Sequence, residues 1–290
     1  MNIKWILSLI KEYAGMRLGF MGPRGTFSQQ AAEAYTANTD IELVQYTNIA
    51  ELIRAVQARE VEEGIVPIEN SIEGSVNVTL DMMAWDVDLK IKKEIIIPVR
   101  QSFMVSQGHC GRISMILTHP QAAGQCRNFL NKYYPDVPIH YTYSTAQAAE
   151  QIASSDEDWA AIAAPKAAKE YHLEILHDSI QDNNSNVTRF IVVTPEYFNE
   201  QNQRKTSLIF STDNKPGSLY RVLQILNLWD INMTRIESRP AKNSLGNYIF
   251  FVDIEGEQQQ SDVQDALTMI KKKTSFFKML GSYAVENYDC

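Results

Sequence analysis

A chain of 290 residues carrying 27 basic and 35 acidic side chains, for a formal charge of -8, lacks the basic face that a nucleic-acid backbone requires, so no nucleic-acid partner is expected. With 44 % apolar and 21 % charged residues, it holds enough hydrophobic material for two packed domains and too little charge for wholesale disorder. An anionic ligand is compatible with this composition only at a site that is locally positive against the global field.

Residues 1–16 form an N-terminal extension. Its apolar run, Trp5 to Ile10, is closed by Lys11 and Glu12. A secretory signal needs about 7–15 apolar residues with a cleavage site, and a membrane span needs about 20. The run is therefore read as a short helix, with no membrane association. Cys110, Cys126 and Cys290 are odd in number and show no CxxC spacing, which fits a reducing, cytoplasmic setting. His172 and His177 stand five apart, and no HExxH occurs, so neither a metal nor a cofactor is expected.

From Arg17 the chain alternates short strands with amphipathic helices. Leu18–Met21 reads as a strand, the loop Gly22-Pro23-Arg24-Gly25 follows, and Thr26 with Gln29 starts a helix by a capping box. Glu42–Tyr46 is a strand. Asn48 and Glu51 repeat the box before an apolar stripe of Ile49, Leu52, Ile53 and Val56, and Gly64–Ile68 is a third strand. Such alternation predicts parallel pairing. Strand material over Ile95–Val105 opens a second series. It continues with a strand at Met115–Leu117, a helix over Gln121–Tyr134, a strand at Ile139–Tyr141 and a helix capped by Ser144. A strand at Trp159–Ala163 and a helix begun by Pro165 complete it. The economical reading is two α/β lobes over residues 17–195 with a ligand cleft between them.

Residues 196–204 are polar and read as a linker. Residues 205–284 read as a ferredoxin-like βαββαβ unit. Its strands are Ser207–Ser211, Ile231–Ser238, Tyr248–Ile254 and Phe277–Tyr283. Its helices are striped by Leu219, Val222, Leu223 and Leu226, and by Val263, Ala266, Leu267 and Ile270.

Several polar loops follow strands, where α/β folds collect ligands. The first has Gly19, Gly22 and Gly25 at a spacing that is not GxGxxG. It is either a tight turn or, through the N–H groups of Thr26 and Phe27, a cradle for an anion, with Arg24 beside it. A second runs from Glu69 to Gly74 with two carboxylates, an amide and a hydroxyl. The others are Thr118-His119-Pro120-Gln121 and the stretch Asp182–Phe190. Each alone is an ordinary polar loop.

Together, Gly22-Pro23-x-Gly25-Thr26-Phe27-Ser28, Pro67-Ile68-Glu69-Asn70-Ser71-x-Glu73-Gly74-Ser75-Val76, His119-Pro120-Gln121 and Asn186-x-Thr188-Arg189-Phe190 resemble, in order, the motif series of prephenate dehydratases. Pro216-Gly217-x-Leu219 and Glu237-Ser238-Arg239-Pro240 resemble the phenylalanine-site motifs of that family's ACT domain, with Ser218 where alanine is usual.

The resemblance implies an α/β fold: a two-lobed, periplasmic-binding-protein-like catalytic region plus a ferredoxin-like ACT domain. The implied activity is decarboxylative dehydration of prephenate, without cofactor. Thr188 is the implied donor to the leaving hydroxyl, assisted by Glu69, Asn70 and Gln121. Glu69 or Glu73 is an implied proton source. Thr26, Phe27, Ser71, Glu73, Gly74, Thr118, Arg189 and Phe190 are implied substrate contacts. Strand alternation turns Arg189 away from Thr188, so a structural ion pair is an equal reading for it. Pro216, Gly217, Ser218, Leu219, Glu237, Ser238 and Arg239 are implied to hold L-phenylalanine as allosteric effector in a homodimer or homotetramer. Two alternatives stay open, arogenate dehydratase and a non-catalytic amino-acid sensor. A bifunctional chain with chorismate mutase is not expected, since residues 1–16 cannot form a helical mutase domain.

Overall fold

The computed structural model describes residues 15–37, 39–109, 111–197, 203–241 and 247–288. The helix expected near the N-terminus, Cys110, Cys290 and most of the expected linker lie outside the described residues.

The first lobe begins with β1 (Arg17–Met21), β2 (Glu42–Tyr46) and β3 (Glu63–Asn70), joined by α1 (Phe27–Thr36) and α2 (Ile49–Gln57). Both helices start where their caps predict: Thr26 Oγ1 accepts from the Gln29 N–H, and Asn48 Oδ1 from the Glu51 N–H. β1 lies between β2 and β3, parallel to both. The α2 stripe is buried, and Gly19 opposite Gly64 lets that helix sit close. A Cβ on Gly19 would stand 2.3 Å from Leu52, and one on Gly64 2.7 Å from Val56.

β4 (Gly74–Ser75) folds back on β3, and α3 (Asn77–Trp85) leads to β5 (Lys90–Pro98). The chain then crosses through residues 99–101 into the second lobe. That lobe contains β6 (Ser102–Val105), β7 (Met115–Thr118), α4 (Pro120–Gln125), α5 (Arg127–Tyr133), β8 (Ile139–Tyr141), α6 (Thr145–Ala153), β9 (Trp159–Ala163), α7 (Pro165–Glu170) and β10 (Glu174–His177), with sheet order β10-β6-β9-β7-β8. The helix expected over Gln121–Tyr134 is two helices, broken at Cys126.

The chain returns through residues 178–186 to β11 (Val187–Thr194), which inserts between β3 and β5, antiparallel to each. The parallel pairing expected of β1, β2 and β3 is present, and β11, which was not part of that expectation, makes the first sheet mixed. β11 arrives from the other lobe and not by a right-handed crossover, so nothing constrains it to run parallel. The two crossings are bonded to each other, Val99 N–H to Asn186 O at 2.8 Å and Ile180 N–H to Gln101 O at 2.9 Å.

The C-terminal unit comprises β12 (Lys205–Ser211), α8 (Ser218–Leu228), β13 (Met233–Pro240), β14 (Tyr248–Glu255), α9 (Ser261–Lys273) and β15 (Phe276–Asn287). Its antiparallel order β13-β14-β12-β15 is that of the ferredoxin-like βαββαβ unit. One sheet face packs Leu208, Phe210, Val252 and Ile254 on Val222, Leu226, Val263 and Ile270 of the helices. The other face is equally apolar. Ile209, Ile249, Phe251, Leu280 and Tyr283 share a core with Leu80, Met83, Leu89 and Ile91 of the first lobe.

β15 itself joins the two regions. To Tyr283 it pairs with β12; from Ala284 to Asn287 it runs parallel to β5 at Lys93–Ile96. Shortly before the change of partner stands Gly281, still paired with Ser207, with φ +135°, where a Cβ would lie 2.8 Å from Ile91 O. Among the described residues no helix is long and apolar enough to cross a membrane.

Candidate active site

A cleft of about 280 Å³ opens between the lobes. Strands β3 and β11 supply its floor. Their register pairs Thr188 with Asn70 and Arg189 with Glu69, so alternation sends the first pair to the cleft and the second away from it.

Asn70 is locked by its neighbours. Its Oδ1 accepts from the N–H groups of Ile72 and Glu73, at 3.0 and 3.1 Å, in a side-chain turn. That fixes its Nδ2 toward β11, where it donates to Thr188 Oγ1 at 2.9 Å and to Asn186 Oδ1 at 3.0 Å. The Thr188 oxygen is thus an acceptor from Asn70, and its own proton finds no acceptor among the described residues. The hydroxyl is left free to donate into the cleft.

Three helix starts face this space: Thr26 and Phe27 at α1, His119 and Gln121 at α4, Ser144 and Thr145 at α6. No Lys or Arg is among the described residues lining the cleft. A carboxylate bound here meets N–H groups, hydroxyls and amides, with the partial positive ends of the helices supplying the local potential.

The expected residues divide as follows. Thr188, Asn70, Gln121, Thr26, Phe27 and Phe190 line the cleft. Glu73 lies beside it, in an adjoining hollow that also contains Gln121, Gln125 and Asn186. Ser71 supports the floor, its hydroxyl bonded to Asn186 Oδ1 at 3.1 Å. Gly74, with φ +81°, forms the turn into β4. Thr118 is fully buried, its hydroxyl donates to Ile162 O at 2.8 Å, and it does not line the cleft. Arg24 faces outward to Glu170 at 3.2 Å.

Glu69 and Arg189 depart most from expectation. Arg189 reaches Glu69 at 2.5 Å, Glu94 at 2.6 Å and Asp253 at 2.8 Å on the far side of the sheet. Burial alone would lower its pKa, but Asp253 and Glu94 outweigh burial and raise it above the ordinary guanidinium value. Arg235 Nε approaches Glu69 at 3.4 Å as well. Glu69 is therefore held in an interdomain cluster and does not line the cleft. Arg189 forms the structural ion pair that strand alternation allowed, on the face away from the cleft.

The cleft also contains residues that sequence reasoning passed over: Gln101, Gln125, Tyr143 and Thr145. Ser144 was legible only as a helix cap. Gln101 belongs to a crossing segment without periodicity or motif.

The candidate effector residues form two groups. Pro216 leads into Gly217, which caps α8 in the left-handed region at φ +77°, followed by Ser218 and Leu219 on the helix. Glu237, Ser238 and Arg239 lie on β13, an edge strand. No hydrogen bond or ion pair joins the groups among the described residues. Arg239 is occupied, gripping both oxygens of Asp81 in α3 at 3.1 Å.

Fold and cleft together define a two-lobed α/β protein with an anion-compatible interlobe site and a βαββαβ domain packed on its first lobe. A family model described as prephenate dehydratase matches residues 18–197, and one for the ACT domain matches residues 206–268. The chain is 38 % identical over 277 residues to a bifunctional chorismate mutase/prephenate dehydratase of Aquifex aeolicus, spanning 96 % of this chain and 75 % of that protein. It is 36 % identical over 277 residues to the prephenate dehydratase of Lactococcus lactis subsp. cremoris, spanning 93 % and 98 %. The crystal structure of prephenate dehydratase from Arthrobacter aurescens in complex with L-Phe aligns with a TM-score of 0.85 at 33 % identity, covering 93 % of this chain and 90 % of that one. The chain belongs to the prephenate dehydratase family of carbon–oxygen lyases and carries an ACT domain.

Proposed function

We propose that the cleft converts prephenate to phenylpyruvate, carbon dioxide and water. Prephenate is a dianion whose ring becomes aromatic as it loses the C1 carboxylate and the C4 hydroxyl. The electron pair of the breaking C–CO2 bond enters the ring while the C4–O bond breaks. One proton must reach the departing oxygen for it to leave as water. No oxidation state changes overall.

Thr188 is the donor. A threonine hydroxyl is far too weak an acid to protonate a neutral alcohol outright, so it acts by a positioned hydrogen bond that passes a solvent-derived proton as the C4–O bond breaks. Asn70 holds the Thr188 oxygen at 2.9 Å and polarises its O–H, and this single contact carries the reading. The helix starts at Thr26 and Ser144, with Gln121, hold the two carboxylates, and Phe27 and Phe190 flank the ring. Residues 17–195 are the catalytic region and 205–284 the regulatory domain, consistent with the spans matched by the two family models.

L-phenylalanine is the effector, held by Pro216–Leu219 and Glu237–Arg239. The related Arthrobacter aurescens protein was solved in complex with L-Phe. In the present chain the effector site is completed between copies, in a homodimer or homotetramer formed at the open β13 edge. The enzyme is cytoplasmic. The test is phenylpyruvate formation from prephenate by the purified chain, with and without L-phenylalanine. Turnover suppressed by phenylalanine is the expected result. Turnover with arogenate alone would move the substrate to its amino counterpart, and silence with both would remove the catalytic reading.

A further inference from the structure

We propose that Gln101 is a substrate-positioning residue whose side-chain amide accepts the proton of the substrate's C4 hydroxyl; this rests on the prephenate reading above.

Gln101 ends the first crossing between the lobes, and its backbone is fixed on both sides. Its N–H donates to Gln181 Oε1 at 2.9 Å, and its carbonyl accepts from the Ile180 N–H at 2.9 Å. The next residue, Ser102, donates from its hydroxyl to Asp178 Oδ1 at 2.6 Å. The side chain, at 3 % exposure, lines the cleft with Thr188, Asn70 and Phe190. Its Oε1 is buried without a hydrogen-bond partner. Asn70, the amide beside it in the cleft, is the contrast, with both ends in use.

A buried amide left unpaired is costly, and native proteins rarely keep one without a role. At the floor of a ligand cleft, its partner is the ligand. The terminal amide torsion is broad and two-fold, so a turn brings Oε1 to the cleft and Nε2 into its former position. The two carboxylates and the keto group of prephenate are acceptors only. The C4 hydroxyl is its single donor, so it is the one group of the substrate that an orphan acceptor can take.

The consequence for the reaction is geometric. When Gln101 holds the hydroxyl's own proton, an oxygen lone pair is free to face Thr188. Thr188 delivers the second proton, the C4–O bond breaks, and water leaves carrying both. Solvent restores the Thr188 proton.

The test uses Gln101→Met, which keeps the length and removes the amide. Two quantities are read: kcat/KM for prephenate, and inhibition by phenylpyruvate, which shares the pyruvyl chain and ring but lacks the C4 hydroxyl. The expected result is a fall in kcat/KM of about 10- to 100-fold with phenylpyruvate inhibition within about twofold of the parent. Unchanged turnover, or equal losses for substrate and product, overturns the proposal. Should Gln101→Met fail to fold, Gln101→Glu keeps an acceptor and adds a repulsive charge. It is expected to raise KM while kcat stays within about threefold, and a collapse of kcat overturns the proposal. A parent chain silent with prephenate removes the prephenate reading, and this proposal with it. An active parent with an unaffected variant removes this proposal alone.

Discussion

Arg189 donates to Asp253 at 2.8 Å, and through this contact the strand carrying Thr188 is tied to an inner strand of the ACT domain. Asp253 also receives the Ser207 hydroxyl at 2.5 Å, while Lys205 reaches Glu94 at 2.7 Å. Arg235 and Arg239 extend the same seam to Glu69 and Asp81. Thr188 and Arg189 are consecutive on one strand. A shift of the ACT sheet that displaces Asp253 therefore pulls on the residue next to Thr188, the proposed donor.

That seam gives a prediction for regulation. Asp253→Asn keeps the shape and removes the charge that Arg189 meets. We expect prephenate turnover without effector to stay within about threefold, and suppression by L-phenylalanine to weaken severalfold, since allosteric couplings are typically about 1–3 kcal/mol. Initial rates over a phenylalanine titration decide it. Inhibition identical to the parent would show that the pair does not transmit the signal.

Asn70 offers a second prediction. If its role is to hold Thr188, Asn70→Ala lowers kcat by about 10- to 100-fold. Adding it to a variant already lacking the Thr188 hydroxyl should then cost little more, because residues acting as one unit are not additive. Independent, multiplicative losses in the double variant would separate the two residues.

Stability rests in part on a buried pair beneath the first sheet. Lys92 lies 2.7 Å from Glu63, their side chains 2 % and 1 % exposed, and the Tyr35 hydroxyl adds a hydrogen bond to Glu63 at 2.8 Å. Lys92→Met strands the carboxylate in a dry interior and is expected to cost about 3–5 kcal/mol. The double variant Lys92→Met with Glu63→Gln should recover a good part of that. Urea unfolding of the parent and the two variants measures both effects, and a single-variant cost below about 1 kcal/mol would contradict the account.

Cys126 is fully buried, and burial, with a contribution from Asp182, pushes its thiol up to about 12. Only the thiolate reacts readily. Alkylation at pH 8, mapped by peptide mass, should leave Cys126 unmodified in the native protein and label it in denaturant. Rapid native labelling would mean that the break between α4 and α5 opens easily.

Much of this was legible in the sequence, because local rules and tertiary demand agree. Thr26 and Asn48 cap helices in the structure as their spacing to Gln29 and Glu51 predicts, and Ser144 caps α6 as read. The stripes of the ACT helices bury Val222, Leu226, Val263, Ala266 and Ile270 as periodicity selected, whereas Leu219, Leu223 and Leu267 are half-buried and Ile225, outside the stripe, is buried. Helix α3 left no such trace: Val78, Leu80, Met82, Met83 and Trp85 surround it with apolar groups, because it lies between the first lobe and the ACT sheet and has little polar face.

The site was legible where a motif coincided with strand alternation. Thr188 and Asn70 share one face, and alternation correctly allowed for Arg189 on the other. The same rule, applied to Glu69, would have turned it away from Asn70. Thr118 sits at the end of a strand directed at the cleft, but its hydroxyl is consumed by a neighbouring strand, which no local pattern reveals. Gln101 stayed hidden for a similar reason, since its significance lies in a partner it lacks.

The most direct measurement compares kcat on prephenate for Thr188→Ser and Thr188→Val. Serine keeps the hydroxyl that Asn70 holds, and valine keeps the shape without it. The account predicts Thr188→Ser within about tenfold of the parent and Thr188→Val reduced by at least about 100-fold with an unchanged melting temperature. A valine variant that turns over prephenate near the parent rate would contradict the assignment of Thr188 as donor.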